Sequence, residues 1–65
     1  MADPREIYLE ITVIGATAKV AAIDGASGIE VCVFGPAHAA ERELKRLAVA
    51  KLRARLASES SIISE

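Results

Sequence analysis

The sequence predicts an α+β domain in which a three-stranded antiparallel meander packs on one C-terminal helix, in the order β-β-β-α. Apolar and polar residues alternate through residues 7–14, 17–23 and 29–34, as is typical of strands with one buried face. After Gly35-Pro36 the apolar spacing changes to the 3.6-residue period of a helix. The change of period separates a sheet from a following helix.

The first connection, Gly15-Ala16, fits a two-residue type II′ hairpin turn, because such a turn places Gly at its first central position. A shift of one residue would set apolar side chains against Lys19 and Asp24, so the turn and the alternation agree. The register that follows consists of the pairs Ile14–Thr17, Val13–Ala18, Ile11–Val20 and Leu9–Ala22.

The second connection, residues 24–28, is rich in residues that favour turns. A loop with an even number of residues keeps the third strand in phase, whereas an odd loop would place Glu30 in the core unless a bulge corrected it. We therefore expect the even loop, with Val20 in contact with Val33 across the strands. The predicted core face consists of Ile7, Leu9, Ile11, Val13, Ala18, Val20, Ala22, Ile29, Val31 and Val33.

Residues 37–57 are predicted to form the helix, with its start between Pro36 and Ala40, because they are rich in strong helix formers. Lys51 and Arg55 fall inside the apolar stripe, so we expect their stems to lie along the sheet and their charges to reach water. The stripe that can cover the sheet consists of Leu44, Leu47, Ala48, Leu52 and Leu56.

The length of 65 residues predicts one marginal domain, because a chain this short buries only about 60% of its unfolded surface. We expect an N-terminal arm at 1–5, a domain at 6–57 and a flexible tail at 58–65. One cysteine excludes an internal disulfide, and one histidine leaves too few ligands for a structural zinc site. Domains below about 70–80 residues usually need a disulfide, a metal site or a partner chain for stability. We therefore expect a homodimer or a complex with another protein.

Charge and hydropathy exclude several classes of protein. The N-terminal segment lacks a basic region leading into an apolar one, and no apolar run approaches about 18 residues, so we expect a cytoplasmic protein without signal or membrane span. The formal net charge of -1 does not indicate a strongly basic nucleic-acid binder. However, six of the eight basic residues lie in the predicted helix.

The residue types of a nucleophile triad occur at Asp24, Ser27 and His38, but the predicted topology separates them. His38 follows the third strand and lies roughly 20 Å from the other two, at about 3.3 Å per strand residue. Residues 25–28 also match the G-x-x-G loop of some RNA-binding domains, but those loops join helices. We predict no catalytic residue, no cofactor-binding or metal-binding residue, and no enzymatic activity.

Two surfaces are candidates for partner binding. The outer sheet face, opposite the helix, carries both aromatic residues of the chain and has no second helix to cover it. Its candidate contact residues are Tyr8, Ile14, Ile23, Cys32 and Phe34. The basic helix has as candidate nucleic-acid contacts Arg42, Lys45, Arg46, Arg53 and Arg55.

These surfaces leave three hypotheses open. The chain is a module that forms a homodimer or docks on a partner protein, through the outer face or by pairing of an edge strand. Alternatively, it binds nucleic acid weakly through the basic helix, in which case retention on RNA or DNA should depend on salt. As a third alternative it is a small subunit or regulator of a larger enzyme.

The short segments that carry a family resemblance span residues 5–57 and are Arg5-Glu6-Ile7-Tyr8, Ile14-Gly15, Lys19-Val20, Ala22-Ile23-Asp24, Gly28, Glu30-Val31, Gly35-Pro36 and Lys51-Leu52. In order and spacing, these segments resemble a family of short uncharacterised alphaproteobacterial proteins. The resemblance implies no assigned activity, although some such proteins carry the label serine hydroxymethyltransferase. That enzyme family holds pyridoxal phosphate on a lysine in a threonine-rich segment of a large fold, and no lysine here has that setting.

We accordingly expect the chain not to bind pyridoxal phosphate, because a chain this small can hardly enclose the cofactor. The measurement is an absorption spectrum after incubation with the cofactor, followed by reduction with borohydride. Stable labelling of Lys19, Lys45 or Lys51 at stoichiometric cofactor would contradict the prediction.

Overall fold

The computed structural model describes residues 5–39 and 41–63, with the backbone alone for residues 60–63. Its three strands form one antiparallel sheet in the order β1-β2-β3, and one helix follows. The predicted β-β-β-α fold is therefore confirmed. Apart from Arg5, the predicted N-terminal arm lies outside the described residues. The elements are β1 (Ile7–Ile14), β2 (Thr17–Asp24), β3 (Glu30–Pro36) and α1 (Glu41–Ile63).

The predicted register of the first hairpin is confirmed from Ile14–Thr17 through Leu9–Ala22. Gly15 has a φ of 60°, and among the described residues only glycines have positive φ. Because Ala16 therefore has negative φ, the turn is of type II′ and not of type I′. The turn thereby fixes which side chains of β1 share a face with those of β2.

The second connection is the predicted even loop, residues 25–28. The Asp24 N–H donates to the Ile29 carbonyl at 2.9 Å, and Gly28, with a φ of 77°, donates its N–H to the Asp24 carbonyl at 2.9 Å. The Asp24 carboxylate accepts hydrogen bonds from the Ser27 N–H at 2.8 Å and the Ser27 hydroxyl at 2.7 Å. These bonds bring β3 into register with β2, so Val20 pairs with Val33 as expected.

The helix α1 packs on β2 and β3, and the core lies between these three elements. Small side chains on both surfaces allow a close approach, and at Gly35 an added Cβ would lie 2.7 Å from Leu44 Cδ2. An α-helix is about 10 Å across and neighbouring strands are about 4.8 Å apart, so one helix covers two strands. The buried core consists of Ala18, Val20, Ala22, Val31, Leu44, Ala48 and Leu52.

The prediction that Leu9, Ile11 and Val13 belong to the core is wrong. Their exposed fractions are 38%, 40% and 58%, because α1 lies over β2 and β3 and leaves β1 largely uncovered. Leu47, predicted to lie in the apolar stripe of the helix, is also half exposed. Ile7 is partly buried and does contact the core cluster.

Both ends of the helix differ from the prediction. It begins at Glu41 because the chain first makes a turn, in which Ala39 donates its N–H to the Pro36 carbonyl at 2.9 Å. It continues past the predicted end at Ala57 to Ile63, since no Gly or Pro interrupts it and Arg55 pairs with Glu59 at 3.0 Å. The flexibility predicted for residues 58–65 stays a prediction, and residues 64–65 lie outside the described part of the chain.

The packing predicts that two leucines of α1 differ strongly in how much their replacement by Ala lowers the free energy of unfolding. Replacing the fully buried Leu52 with Ala should lower the free energy of unfolding by about 2–5 kcal/mol, because it leaves a cavity beneath the helix. Leu47→Ala is the matched control and should cost less than about 1 kcal/mol, since its side chain is half exposed. Urea denaturation measures both changes. Equal losses would contradict the placement of the core.

Candidate functional site

The outer edge of β1 presents backbone groups that no described strand pairs with. Gly25 donates its N–H to the Glu6 carbonyl at 2.9 Å. Every second residue of β1, counted from Glu6, is therefore hydrogen-bonded to β2. Bonding direction alternates along an antiparallel strand. The N–H and C=O groups of Ile7, Leu9, Ile11 and Val13 therefore point away from β2.

The same alternation sets the direction of the side chains. Leu9, Ile11 and Val13 pair with Ala22, Val20 and Ala18, so they share the helix side of the sheet with the core. We call these three exposed residues the uncovered row. One set of residues thus supplies both the unpaired backbone groups of β1 and its exposed apolar side chains.

The edge of β3 is protected, in contrast to that of β1. Lys51 Nζ reaches from α1 to the Cys32 carbonyl and donates a hydrogen bond at 2.8 Å. Pro36 at the end of β3 has no N–H to offer another strand. Lysine and proline are common means of blocking an edge strand, and Ile7–Ile14 contains neither. The two edges of the sheet therefore differ in their capacity to accept a further strand.

One flank of α1 borders the uncovered row. Leu44 lies against Gly35, and Lys51 reaches Cys32, so their flank of the helix lies over β3. At 100° per residue, Lys45, Val49 and Leu56 fall on the opposite flank, toward β1, and all three are partly buried. This flank of the helix therefore faces the side of the sheet on which the uncovered row lies.

Sequence reasoning missed the uncovered row, because the pattern of β1 is the same as that of a strand with a covered face. One signal was available: a single helix about 10 Å wide cannot cover three strands about 4.8 Å apart. The sequence of β1 alone does not show which strand the helix leaves uncovered. Which strand is uncovered depends on contacts such as that of Gly35 with Leu44, which place the helix over β3.

Four of the five predicted contact residues of the outer face adjoin one another, and Ile14 lies apart. The register brings Tyr8, Ile23 and Cys32 close together, and all three are half-buried. Phe34 and Ile14 are 67% and 73% exposed, but Phe34 lies opposite Lys19 and Ile14 lies opposite Thr17. Thr12 and Thr17 therefore separate Ile14 from the others, whereas Phe34 follows Cys32 by two residues on the same strand and adjoins it on this face.

The basic residues of α1 are partly neutralised within the helix. Lys45 pairs with Glu41 at 2.9 Å, Arg46 with Glu43 at 2.7 Å and Arg55 with Glu59 at 3.0 Å. Arg42 and Arg53 have no ion pair with a described acidic residue. Four of the five candidate nucleic-acid contacts line one shallow depression, and Arg55 lies apart. The lining residues are Arg42, Lys45, Arg46, Val49, Ala50 and Arg53.

The residues considered for catalysis have local roles or lie apart. Asp24 and Ser27 bond to each other in the second turn, whereas His38 follows the opposite end of β3 and is exposed. The Cys32 thiol donates to a carboxylate oxygen of Glu30 at 4.0 Å. Within residues 5–39 and 41–63, no three His, Cys, Asp or Glu side chains cluster as metal ligands would. In the same residues, no helix is long and apolar enough to cross a membrane.

The fold and surfaces define a small α+β domain with one helix on a three-stranded sheet. A family model described as a domain of unknown function (DUF6898) matches residues 4–59, and the chain belongs to this family. This agrees with the uncharacterised family that the sequence resembles. No curated protein and no solved structure matched the chain significantly.

The ion pairs of α1 predict weak nucleic-acid binding. If only Arg42 and Arg53 meet phosphates, the logarithm of the binding constant should fall with the logarithm of salt concentration with a slope of about -2. Fluorescence anisotropy with a labelled RNA duplex measures this slope. A slope of -4 or steeper, which about four contacts would produce, would mean that the basic residues in ion pairs also contact phosphates, and it would contradict the prediction.

Proposed function

We propose that this chain is a cytoplasmic protein-interaction module without catalytic activity of its own, and that it binds its partner by strand addition at the outer edge of β1. The observation that carries the proposal is the coincidence of the uncovered row with the unpaired backbone groups of the same strand. In strand addition, main-chain hydrogen bonds provide affinity, and alternate side chains provide specificity.

The contrast between the two sheet edges supports β1 as the binding strand. Lys51 and Pro36 protect β3, whereas β1 has eight residues without either blocking residue type. An added strand would also extend the apolar surface of the uncovered row and cover part of Leu9, Ile11 and Val13. A domain of this size gains from such burial, because its own core supports only marginal stability.

Nucleic-acid binding is the second candidate, supported by the four basic residues around the depression on α1. Two observations make it weaker than strand addition. Lys45 and Arg46 are already paired with glutamates, and Tyr8 and Phe34 lie on the face of the sheet opposite the helix. Single-stranded nucleic acids are commonly bound by aromatic side chains beside basic ones. Assembly with a larger enzyme remains compatible with strand addition, the enzyme then being the partner.

Site-specific photo-crosslinking distinguishes the β1 edge from the outer face. Benzoylphenylalanine placed at Val13 should give a discrete adduct in cells, because that side chain lies at the proposed interface. Phe34 is the matched control, since it is similarly exposed and lies on the opposite face. We expect an adduct from Val13 at least about fivefold stronger than from Phe34. A stronger adduct from Phe34 would contradict the proposal and favour the outer face.

A further inference from the structure

We infer that the strand added to β1 is β1 of a second copy of this chain, paired antiparallel with Ile11 on the two-fold axis. The inference rests on the proposed function and names the partner of that same edge. It follows from three features of β1: the faces of its side chains, the direction of its backbone groups, and the position of its one internal charge.

The faces of the side chains limit the register. Directly opposite residues in an antiparallel pair lie on the same face of the sheet. A register centred on Ile11 sets Leu9 opposite the partner's Val13 and Ile11 opposite the partner's Ile11. The uncovered rows of two copies would then join into one apolar surface, in which each exposed side chain packs against one from the partner.

The backbone groups fit this register. Leu9, Ile11 and Val13 direct their N–H and C=O groups away from β2, as the bond between Gly25 and Glu6 establishes. Each of the three can therefore exchange both backbone hydrogen bonds with its opposite residue in the partner. No intrachain hydrogen bond of the sheet has to break, so the two copies can associate as folded domains.

The charge at Glu10 disfavours a register centred on that residue. Centring the pair on Glu10 would set two carboxylates directly opposite each other, which is destabilising. Centring it on Ile11 sets Glu10 opposite the partner's Thr12 and Tyr8 opposite the partner's Ile14. The latter is an aromatic and β-branched pair, a favourable combination across strands. It would also cover Ile14, which is 73% exposed in the single chain.

The resulting assembly is a sheet of six strands in which both copies of β1 are central and both copies of α1 lie on one face. The former edge is then fully paired. The remaining outer edges are the two copies of β3, where Lys51 occupies the Cys32 carbonyl. A further strand is thereby discouraged, so the assembly should stop at the dimer.

Light scattering on two lysine variants of the full chain tests this register. Ile11→Lys places two ammonium groups opposite each other on the axis and should weaken dimerisation by at least about tenfold, or about 1.4 kcal/mol. Thr12→Lys is the matched control, because it adds the same charge next to Ile11, between Lys19 of its own chain and the partner's Glu10. It should leave the dimer unchanged or tighten it. Circular dichroism checks that both variants fold, as expected for exposed positions.

The wild type should appear at twice the chain mass at high micromolar concentration. A wild type that stays monomeric to about 1 mM, where an association of about -4 kcal/mol becomes visible, would overturn the second copy as partner. The crosslink from Val13 then judges strand addition separately, since an adduct with another protein would still support it. A dimer that Thr12→Lys disrupts and Ile11→Lys does not would overturn the register.

Discussion

One helix is too narrow to cover three strands, and the rest of this structure depends on that constraint. The helix α1 covers β2 and β3, where Ala18, Ala22 and Gly35 allow it to approach closely. The side chains of β1 on the same face have no second helix to cover them. Hydrophobic burial is therefore incomplete in the single chain, and the apolar side chains that stay exposed on this face lie on β1.

The first turn determines which residues of β1 carry both the exposed apolar side chains and the unpaired backbone groups. Because the type II′ turn at Gly15 pairs Ile14 with Thr17, the residues of β1 on the helix side are also those whose backbone groups face outward. A register shifted by one residue would expose polar side chains beside the same edge. The local preference of one glycine thus places apolar side chains next to unpaired hydrogen-bonding groups.

Much of the fold could be predicted from the sequence, because its signals are local. The turn residues and the alternation gave both registers, including the even loop closed by Asp24 and Ile29. The burial of Leu9 and Val13 could not be predicted correctly, since it depends on the lateral position of the helix. The end of the helix at Ile63 was also missed, because serine lowers helix propensity without stopping the helix.

The edge of β1 is the central claim of this account, and amide hydrogen exchange at two adjacent residues tests it most directly. The Glu10 amide is bonded to β2 and should exchange slowly at every protein concentration. The Ile11 amide points outward, so it should exchange rapidly in dilute solution and slow down as the concentration rises. Equally slow exchange of the Ile11 and Glu10 amides in the dilute monomer would contradict an open edge at β1.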